Sequence, residues 1–487
     1  MNLMYKRVSS SFKDHGVAID VENHADSLQT ELNPENARPE WKLSLPHVLV
    51  ATLSSFLFGY HLGVVNEPLE TISAELGFSG DTLAEGLVVS TCLGGAFIGS
   101  LFSGWIADKV GRRRAFQLCA LPMIIGASVS ATSRSLVGML LGRFLVGTGM
   151  GLGPPVAALY VTEISPASVR GTYGSFIQIA TCLGLMGALF VGIPVREING
   201  WWRICFWFST IPAALLALAM VICAESPHWL YKQGRSEEAE AEFEKLLGIG
   251  NVKKAMQELS ESDTGHETDE VKLSELLYGR HFRVVFIGST LFALQQLSGI
   301  NAVFYFSSTV FKTAGVPSNL ANAFIGLSNL TGSIIAMTLM DRIGRKVLLL
   351  WSFLGMAVSM SIQAVSASSY IHASQALYFS VGGMLLSVAA FAIGAGPVPG
   401  LLLPEIFPSR IRAKAMAFCM SVHWVINFFV GLLFLRMLEK IGAQVVYTIF
   451  GLVCLIAVMF VKRNVIETKG KTLQEIEVAL LPPQQRF

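Results

Sequence analysis

The sequence predicts an all-α polytopic membrane protein with twelve transmembrane helices, folded as two pseudo-symmetric six-helix bundles. Three observations carry that prediction. Of 487 residues, 52% are hydrophobic and only 14% charged, with a mean hydropathy of +0.55; a soluble domain carries about 25% charge to face water. The charges are clumped, so that Gly86–Ala107, Gly171–Val195, Val284–Phe311 and Val347–Pro404 contain no Asp, Glu, Lys or Arg. Charged pairs at fixed spacing also recur between the two halves of the chain. A bilayer-spanning helix needs roughly 20 apolar residues, and each uncharged run supplies at least one. A soluble enzyme and a nucleic-acid binder are both excluded, because neither can hold such runs in water.

In chain order, residues 1–45 form a polar N-terminal segment. Its opening, MNLMYKRVSSSFK, is basic, hydroxylated and free of acids, as transit peptides are, up to Asp14. No apolar run follows the basic start, so no signal peptide is expected. A first bundle, 46–224, has helices expected near 46–66, 83–107, 115–133, 135–162, 171–195 and 203–224. A central loop, 225–282, follows. The stretch from Glu225 to Arg283 carries 13 acidic and 8 basic residues. Within it, Ser236–Leu247 (SEEAEAEFEKLL) reads as a surface helix with acids in its first turn, where the macrodipole favours them. A second bundle, 283–462, has helices near 283–311, 320–340, 347–367, 377–404, 413–435 and 441–461, ahead of a tail at 463–487. The run 347–404 is too long for one span and must break near Ser366–Gln375.

Cations gather in one set of short loops: Lys109 and Arg112–Arg114, Arg170, Arg342, Arg345 and Lys346, then Arg410, Arg412 and Lys414. The first loop of the opposite set carries Glu67, Glu70, Glu75, Asp81 and Glu85 with no Lys or Arg. The positive-inside bias puts both termini and the central loop on the cytoplasmic side, or on its equivalent in an organelle envelope. A net charge of +2 points to no acidic partner. All seven cysteines lie in apolar runs as small packing residues. They supply neither a disulfide framework nor a metal spacing, so no metal and no cofactor are expected. Apart from the lipid bilayer, no obligate partner is implied.

The repeat is specific. Asp108 with Arg112 matches Asp341 with Arg345 at a shift of 233, and Glu163 with Arg170 matches Glu405 with Arg412 at 242; Glu225 matches Glu467, again at 242. Spacing and order are kept together, which marks an ancient duplication. Each member sits at a helix end on the positive side, where carboxylates and guanidiniums form bidentate, charge-assisted bonds. Such a network can lock the two halves together on that face and break as they rock apart. The competing reading is topology marking, but sorting needs no carboxylates, so Glu163, Glu225, Glu405 and Glu467 favour a gate.

Gln295, Gln296 and Asn301 (QQLSGIN) lie in one uncharged helix, with Gln295 and Asn301 near a common face. With Gln178, Asn329, Trp424 and Asn427 they place a ring of neutral amides and an indole at mid-membrane depth. Amides both donate and accept, which suits a neutral polyhydroxylated ligand, whereas a metal or an anion would demand charge. Trp424 can cover an apolar face of such a ligand while its N–H donates. A lone buried amide more often glues helices; three in seven residues reverse that balance. Further on, FAIGAGPVPG (Phe391–Gly400) cannot be a continuous helix, since Pro397 and Pro399 each remove a donor. With Gly394 and Gly396 it reads as a midplane hinge of the kind transporters use, against the alternative of a packing kink.

Other motifs carry nothing. GKT at Gly470–Thr472 lacks the first glycine of a phosphate loop, since Val465 stands there. Gly147, Gly149, Gly151 and Gly153 follow no strand, so close helix packing explains them better than a dinucleotide loop. The sequon Asn329-Leu330-Thr331 is expected mid-helix. No HExxH or comparable cluster occurs, so no catalysis is expected.

The marks GWIADKVGRR, GRFLVGTGMG, EISPASVRG, AESPHWL with KQGR, QQLSGINAVFYF, DRIGRK, GAGPVP and ETKGKT together resemble the sugar porters of the major facilitator superfamily, from about Leu45 to Glu477. FGYHLGVVNEPLE, with His61, is similar to the plastidic glucose transporter branch of plants. The resemblance implies the major facilitator fold and hexose transport, most simply of glucose, by alternating access. It implies the inner envelope of the chloroplast, with Golgi or vacuolar membrane as alternatives. It also implies hexose contacts at Gln178, Gln295, Gln296, Asn301, Asn329, Trp424 and Asn427. Ala392 and Gly400 stand where many hexose carriers have an acid and a Trp; Ala224, His228 and Ile466 also depart from the common pattern. Proton-coupled members have an Asp at the position of His61, paired with an Arg matching Arg143. A histidine buried beside a like charge is expected to stay neutral and carry no proton, which predicts passive transport. Because histidine titrates near neutral pH, a proton-coupled symporter is the alternative. A transport-dead sensor is a third reading, disfavoured by the short tail after Glu477.

Overall fold

The computed structural model describes residues 40–166, 169–263, 281–313, 318–368, 372–408 and 411–471. The transit-peptide-like opening, Arg410 and the tail from Thr472 lie outside them.

The first six spans are α1 (Glu40–Gly63), α3 (Thr82–Val110), α4 (Arg112–Thr132), α5 (Leu136–Ile164), α6 (Arg170–Val191) and α7 (Trp201–Ala219), with a short α2 (Leu69–Leu76) between the first two. Starts follow local chemistry. The Asp81 carboxylate accepts from the backbone N–H of Leu83 and Ala84 at 3.0 and 3.1 Å, and Ser135 Oγ accepts from Gly138 N at 3.3 Å, satisfying donors that a helix start leaves free. The central stretch holds α8 (Pro227–Lys232), α9 (Ser236–Leu247) and α10 (Val252–Asp263), and α9 has the bounds read from the sequence. The last six spans are α11 with α12 (Phe282–Leu297, Ile300–Thr313), α13 (Ser318–Ile343), α14 (Arg345–Ser366), α15 with α16 (Ala373–Ala390, Pro397–Ile406), α17 (Arg412–Ile441) and α18 (Ala443–Asn464). Among the described residues, twelve spans are long and apolar enough to cross a bilayer.

The packing repeats between the halves. In the first, α1 packs on α6, α3 and α4 on α5, and α4 on α7; in the second, α11 packs on α17, α13 and α14 on α15, and α14 on α18. Two equivalent contacts join the halves, α3 with α17 and α6 with α13. Glycine sets the tightest approach within a half. A Cβ on Gly95 would lie 2.2 Å from the Phe144 carbonyl oxygen, and one on Gly151 would lie 2.0 Å from that of Ala96. Backbone contact of this kind is what small residues allow between membrane helices.

Two expected spans are interrupted. The helix read as continuous over 283–311 ends at Leu297 and restarts at Ile300. Between them Gly299 takes φ +84°, and a Cβ there would lie 2.3 Å from the Phe450 ring, so only glycine fits. In the helix read over 377–404, α15 passes into a π-helical segment, Phe391–Ala395, before α16. Gly396 N donates to Phe391 O at 2.8 Å. Ser352 Oγ donates to Ala390 O and accepts from Ala395 N, both at 2.7 Å. Pro397 and Pro399 fall in the first turn of α16, where the missing N–H groups have no intrahelical partner anyway. The prolines therefore start a helix and do not kink one. The run from Val347 breaks between Ser366 and Ala373.

Candidate functional site

Four of the seven residues expected to hold a ligand form one hydrogen-bonded chain. Gln295 Nε2 donates to Ala395 O at 2.6 Å and Gly396 O at 3.3 Å, tying α11 to the π segment. Gln296 Nε2 donates to Gln295 Oε1 at 3.0 Å and meets His423 Nδ1 at 2.9 Å. Asn301 Nδ2 donates to Gln296 Oε1 and, at 3.1 Å, to Asn427 Oδ1, which also accepts from Tyr305 Oη at 3.1 Å. The break at Gly299 corrects the reason for this closeness: Asn301 reaches Gln296 from a second helix, not along one shared face. All four amides are buried.

Trp424 stands one turn from Asn427, with its ring edge-on to His423 at 5.0 Å and to Phe58 of the other half at 6.0 Å. Its indole N–H is buried and makes no hydrogen bond among the described residues. Gln178 and Asn329 belong to a second cluster, on the α6–α13 contact. Asn329 Nδ2 lies 3.4 Å from Cys182 Sγ, Gln178 Nε2 lies 3.8 Å from it, and Ser333 Oγ is 3.2 Å away. Sequence reasoning missed His423, Tyr305, Cys182 and Ser333. His423 stands four residues before Asn427, one helical turn away, so its place in an apolar run was the signal available.

His61 is fully buried on α1, and neither ring nitrogen makes a hydrogen bond among the described residues. Arg143, 2% exposed on α5, donates from Nε to Val88 O at 3.1 Å and from Nη2 to the His61 backbone O at 3.3 Å.

On the positive face the pairing differs from the sequence reading. Arg112 makes a bidentate bond to Glu163, both arms at 2.9 Å, and a third to Asp108 at 3.1 Å. Arg345 pairs with Glu405 at 3.3 Å, and Thr468 Oγ1 also donates to Glu405 at 2.6 Å. Arg170 and Arg412 take neither glutamate: they donate to Ser165 O at 3.4 Å and to Phe407 O at 3.2 Å, capping their own loops. The partner of Glu163 and Glu405 is thus the arginine of the other motif, because a helix start, not a seven-residue spacing, faces each carboxylate. Glu225 accepts from the backbone N–H of Arg112 and Arg113, and Glu467 from those of Arg345 and Lys346. Each carboxylate therefore caps the N-terminus of a span, α4 or α14, as the macrodipole favours. Burial pushes the Glu225 carboxyl up, and these N–H groups oppose the shift. The side chain of Asp341 lies outside the described residues. Both clusters are internal to one half, so the expected cross-half lock is not what they form in this conformation.

The halves are bridged on the opposite, acidic face. Asn66 Nδ2 donates to Phe304 O at 2.9 Å and Ser307 Oγ at 2.7 Å, and Ser308 N donates to Asn66 Oδ1 at 3.0 Å. Glu67 accepts from Ser308 Oγ and from Asn322 Nδ2 at 2.9 Å, and pairs with Arg196 at 3.2 Å. Nearby, Lys312 pairs with Glu70, and Thr82 donates to Glu439 at 2.8 Å.

Two matching six-span halves that enclose neutral amides, closed on one face and separately clustered on the other, define a membrane carrier of the major facilitator architecture. The chain belongs to the sugar (and other) transporter family, whose model matches residues 47–480. It is 74% identical over 482 residues to a protein of Arabidopsis thaliana named probable plastidic glucose transporter 2, covering 98% of this chain and 97% of that one. It is 46% identical over 437 residues to plastidic glucose transporter 4 of the same plant, covering 90% and 80%. The inward-open xylose transporter XylE from E. coli superposes with a TM-score of 0.78 at 30% identity, covering 89% of this chain and 99% of that one.

Proposed function

We propose that this protein carries a neutral hexose, most simply glucose, passively across the plastid inner envelope by alternating access, without catalysis. The chain Gln295–Gln296–Asn301–Asn427 beside Trp424 carries this reading: it offers donors and acceptors but no charge. The names of the plastidic glucose transporters support both the sugar and the compartment. Passive transport is supported by the absence of a carboxylate on Arg143 among the described residues. The acidic face is closed here, so the sugar enters or leaves by the positive face in this conformation. Opening requires Asn66 and Glu67 to release α12 and α13, while Arg170 and Arg412 become available to bridge the halves on the positive face.

The reading is tested by radiolabelled glucose counterflow in liposomes containing the purified protein. Saturable counterflow that a protonophore leaves unchanged is expected. Protein that binds glucose without counterflow would make it a sensor.

A second reading rests on His61, whose unpartnered ring nitrogens leave both positions open to a proton. Proton-coupled symport is then the outcome that a protonophore would reveal.

A further inference from the structure

A groove of about 550 Å³ runs between α14 and α18, within the roughly 300–1,000 Å³ of small-molecule sites. It lies on the outside of the second bundle, with Leu452 and Leu455 of its wall 56% and 44% exposed, so its surroundings are the bilayer. The helices orient it. α14 starts at the positive face with Arg345 and ends at the acidic face with Ser366, and α18 starts at the acidic face with Ala443. Ser368, Gln444, Tyr447 and Thr448 therefore line the mouth, at head-group depth. Ser361, its hydroxyl turned back onto the Ala357 carbonyl, lines the inner end with Leu452 and Leu455. From Gln444 to Leu455 the helix descends roughly 16 Å at about 1.5 Å per residue, about half of a ~30 Å hydrocarbon core. Polar at the interface and apolar toward the midplane is the profile of one lipid molecule.

The lining also selects a head group. It contains no Lys, Arg, Asp or Glu, so it offers an anionic lipid no counter-charge. The hydroxyls of Ser361, Ser368 and Thr448 donate to carbonyls of their own helices at 2.9, 2.7 and 2.8 Å, leaving lone pairs for the groove. Tyr447 is only 5% exposed, yet it lines the groove and its hydroxyl makes no hydrogen bond among the described residues. A wall that accepts more than it donates suits a head group rich in hydroxyl donors. Choline has none. We infer that this groove is a binding site for a single uncharged glycosyl diacylglycerol, its sugar at Gln444, Tyr447 and Thr448 and one acyl chain along Leu452 and Leu455. Tyr447 is also a wall of a small inner cavity formed with Gly299, Ala302 and Phe450. The bound lipid thus touches a residue that shares this cavity with the α11–α12 break.

The test uses the full chain, reconstituted in nanodiscs containing equal parts of monogalactosyldiacylglycerol, phosphatidylglycerol, phosphatidylethanolamine and phosphatidylcholine, and read by native mass spectrometry. One retained galactolipid is expected, favoured about tenfold over each phospholipid, equivalent to about 1.4 kcal/mol. Ala364→Trp, which fills the groove, should remove it. If that variant does not fold, Gln444→Leu with Thr448→Val should erase the head-group preference without filling the space. Equal retention of any phospholipid, no retained lipid, or retention unchanged in the variants that fold would overturn the inference. So would a second copy of the chain crosslinked across α14 and α18.

Discussion

Arg143 donates to the backbone carbonyl of His61, at 3.3 Å, and not to its imidazole. With the Val88 carbonyl 3.1 Å from Nε, the guanidinium is held by the dipoles of two neighbouring helices. A carboxylate at this place could take up a proton when its arginine moves away. A carbonyl cannot. In this conformation Arg143 thus has no carboxylate partner among the described residues, the arrangement that the proposed passive transport requires.

The first prediction follows from that pair. In liposomes with an imposed pH gradient, glucose should equilibrate to equal concentrations on both sides, with or without a protonophore, and His61→Asn should still transport. Accumulation above the external concentration, lost in His61→Asn, would show coupling instead.

The amide chain predicts an order of effects. Asn301→Ala strands the buried acceptor of Gln296 and leaves Asn427 Oδ1 with only the bond from Tyr305, and a stranded buried partner costs about 1–3 kcal/mol. Glucose affinity should fall by about five- to a hundredfold or more, at about tenfold per 1.4 kcal/mol. Gln295→Ala also weakens binding. Gln178, whose amide reaches only a thiol at 3.8 Å, should matter less. Counterflow affinities of the folded variants check the order, and unchanged affinity in Asn301→Ala would remove these amides from the site.

The two faces should respond oppositely. Glu67→Gln weakens the bridge from the α1–α2 turn to Ser308, Asn322 and Arg196, so a cysteine placed behind it should label faster from the acidic face. Arg170→Ala and Arg412→Ala remove cations that pair with no glutamate here. If those cations lock the positive face in the opposite state, their loss should shift the population toward this conformation, with faster labelling from the positive face. Slow labelling in transport-competent arginine variants would leave them only the role of setting topology.

Gly111 and Gly344 are predicted to resist substitution. They take φ +89° and +102°, and a Cβ on either would lie 2.6 Å from a carboxylate oxygen of Glu225 or Glu467. With ψ near 160° this backbone is nearly restricted to glycine and costs other residues about 1–3 kcal/mol. Gly111→Ala and Gly344→Ala should each lower the thermal midpoint in detergent.

A pH dependence is expected from His228, on α8 outside the spans. Burial holds its imidazole below the ordinary histidine value, offset by Glu163 and reinforced by Arg170, Arg112 and Lys232. The unfolded chain then binds a proton that the folded chain refuses, so stability rises with pH and is lost as pH falls below about 6.5. Thermal midpoints should drop between about pH 7 and 5.5. His228→Gln should flatten that drop.

Much of the architecture was legible because a bilayer makes uncharged length a direct signal. The span at 83–107 falls within α3, that at 135–162 starts one residue early on the N-cap of α5, and Ser236–Leu247 matches α9. The amides were legible for the same reason, since Gln295, Gln296 and Asn301 stand in a run where any polar group is costly. The break at Gly299 was not, because glycine is common in membrane helices and only the Phe450 ring against it makes that one necessary.

By itself the sequence determined twelve spans and their duplication, because charge and hydropathy are local properties of the chain. Which carboxylate meets which arginine was decided only in three dimensions. Arg112 lies four residues from Asp108 yet makes its bidentate bond to Glu163, 51 positions away. Glu67 earned no notice in the sequence beyond its charge, yet it is buried between the halves. Spacing along a helix sets which neighbours share a face, but the directional bonds of a carboxylate are satisfied by whichever donors packing brings within about 3 Å, and packing joins helices far apart in the chain.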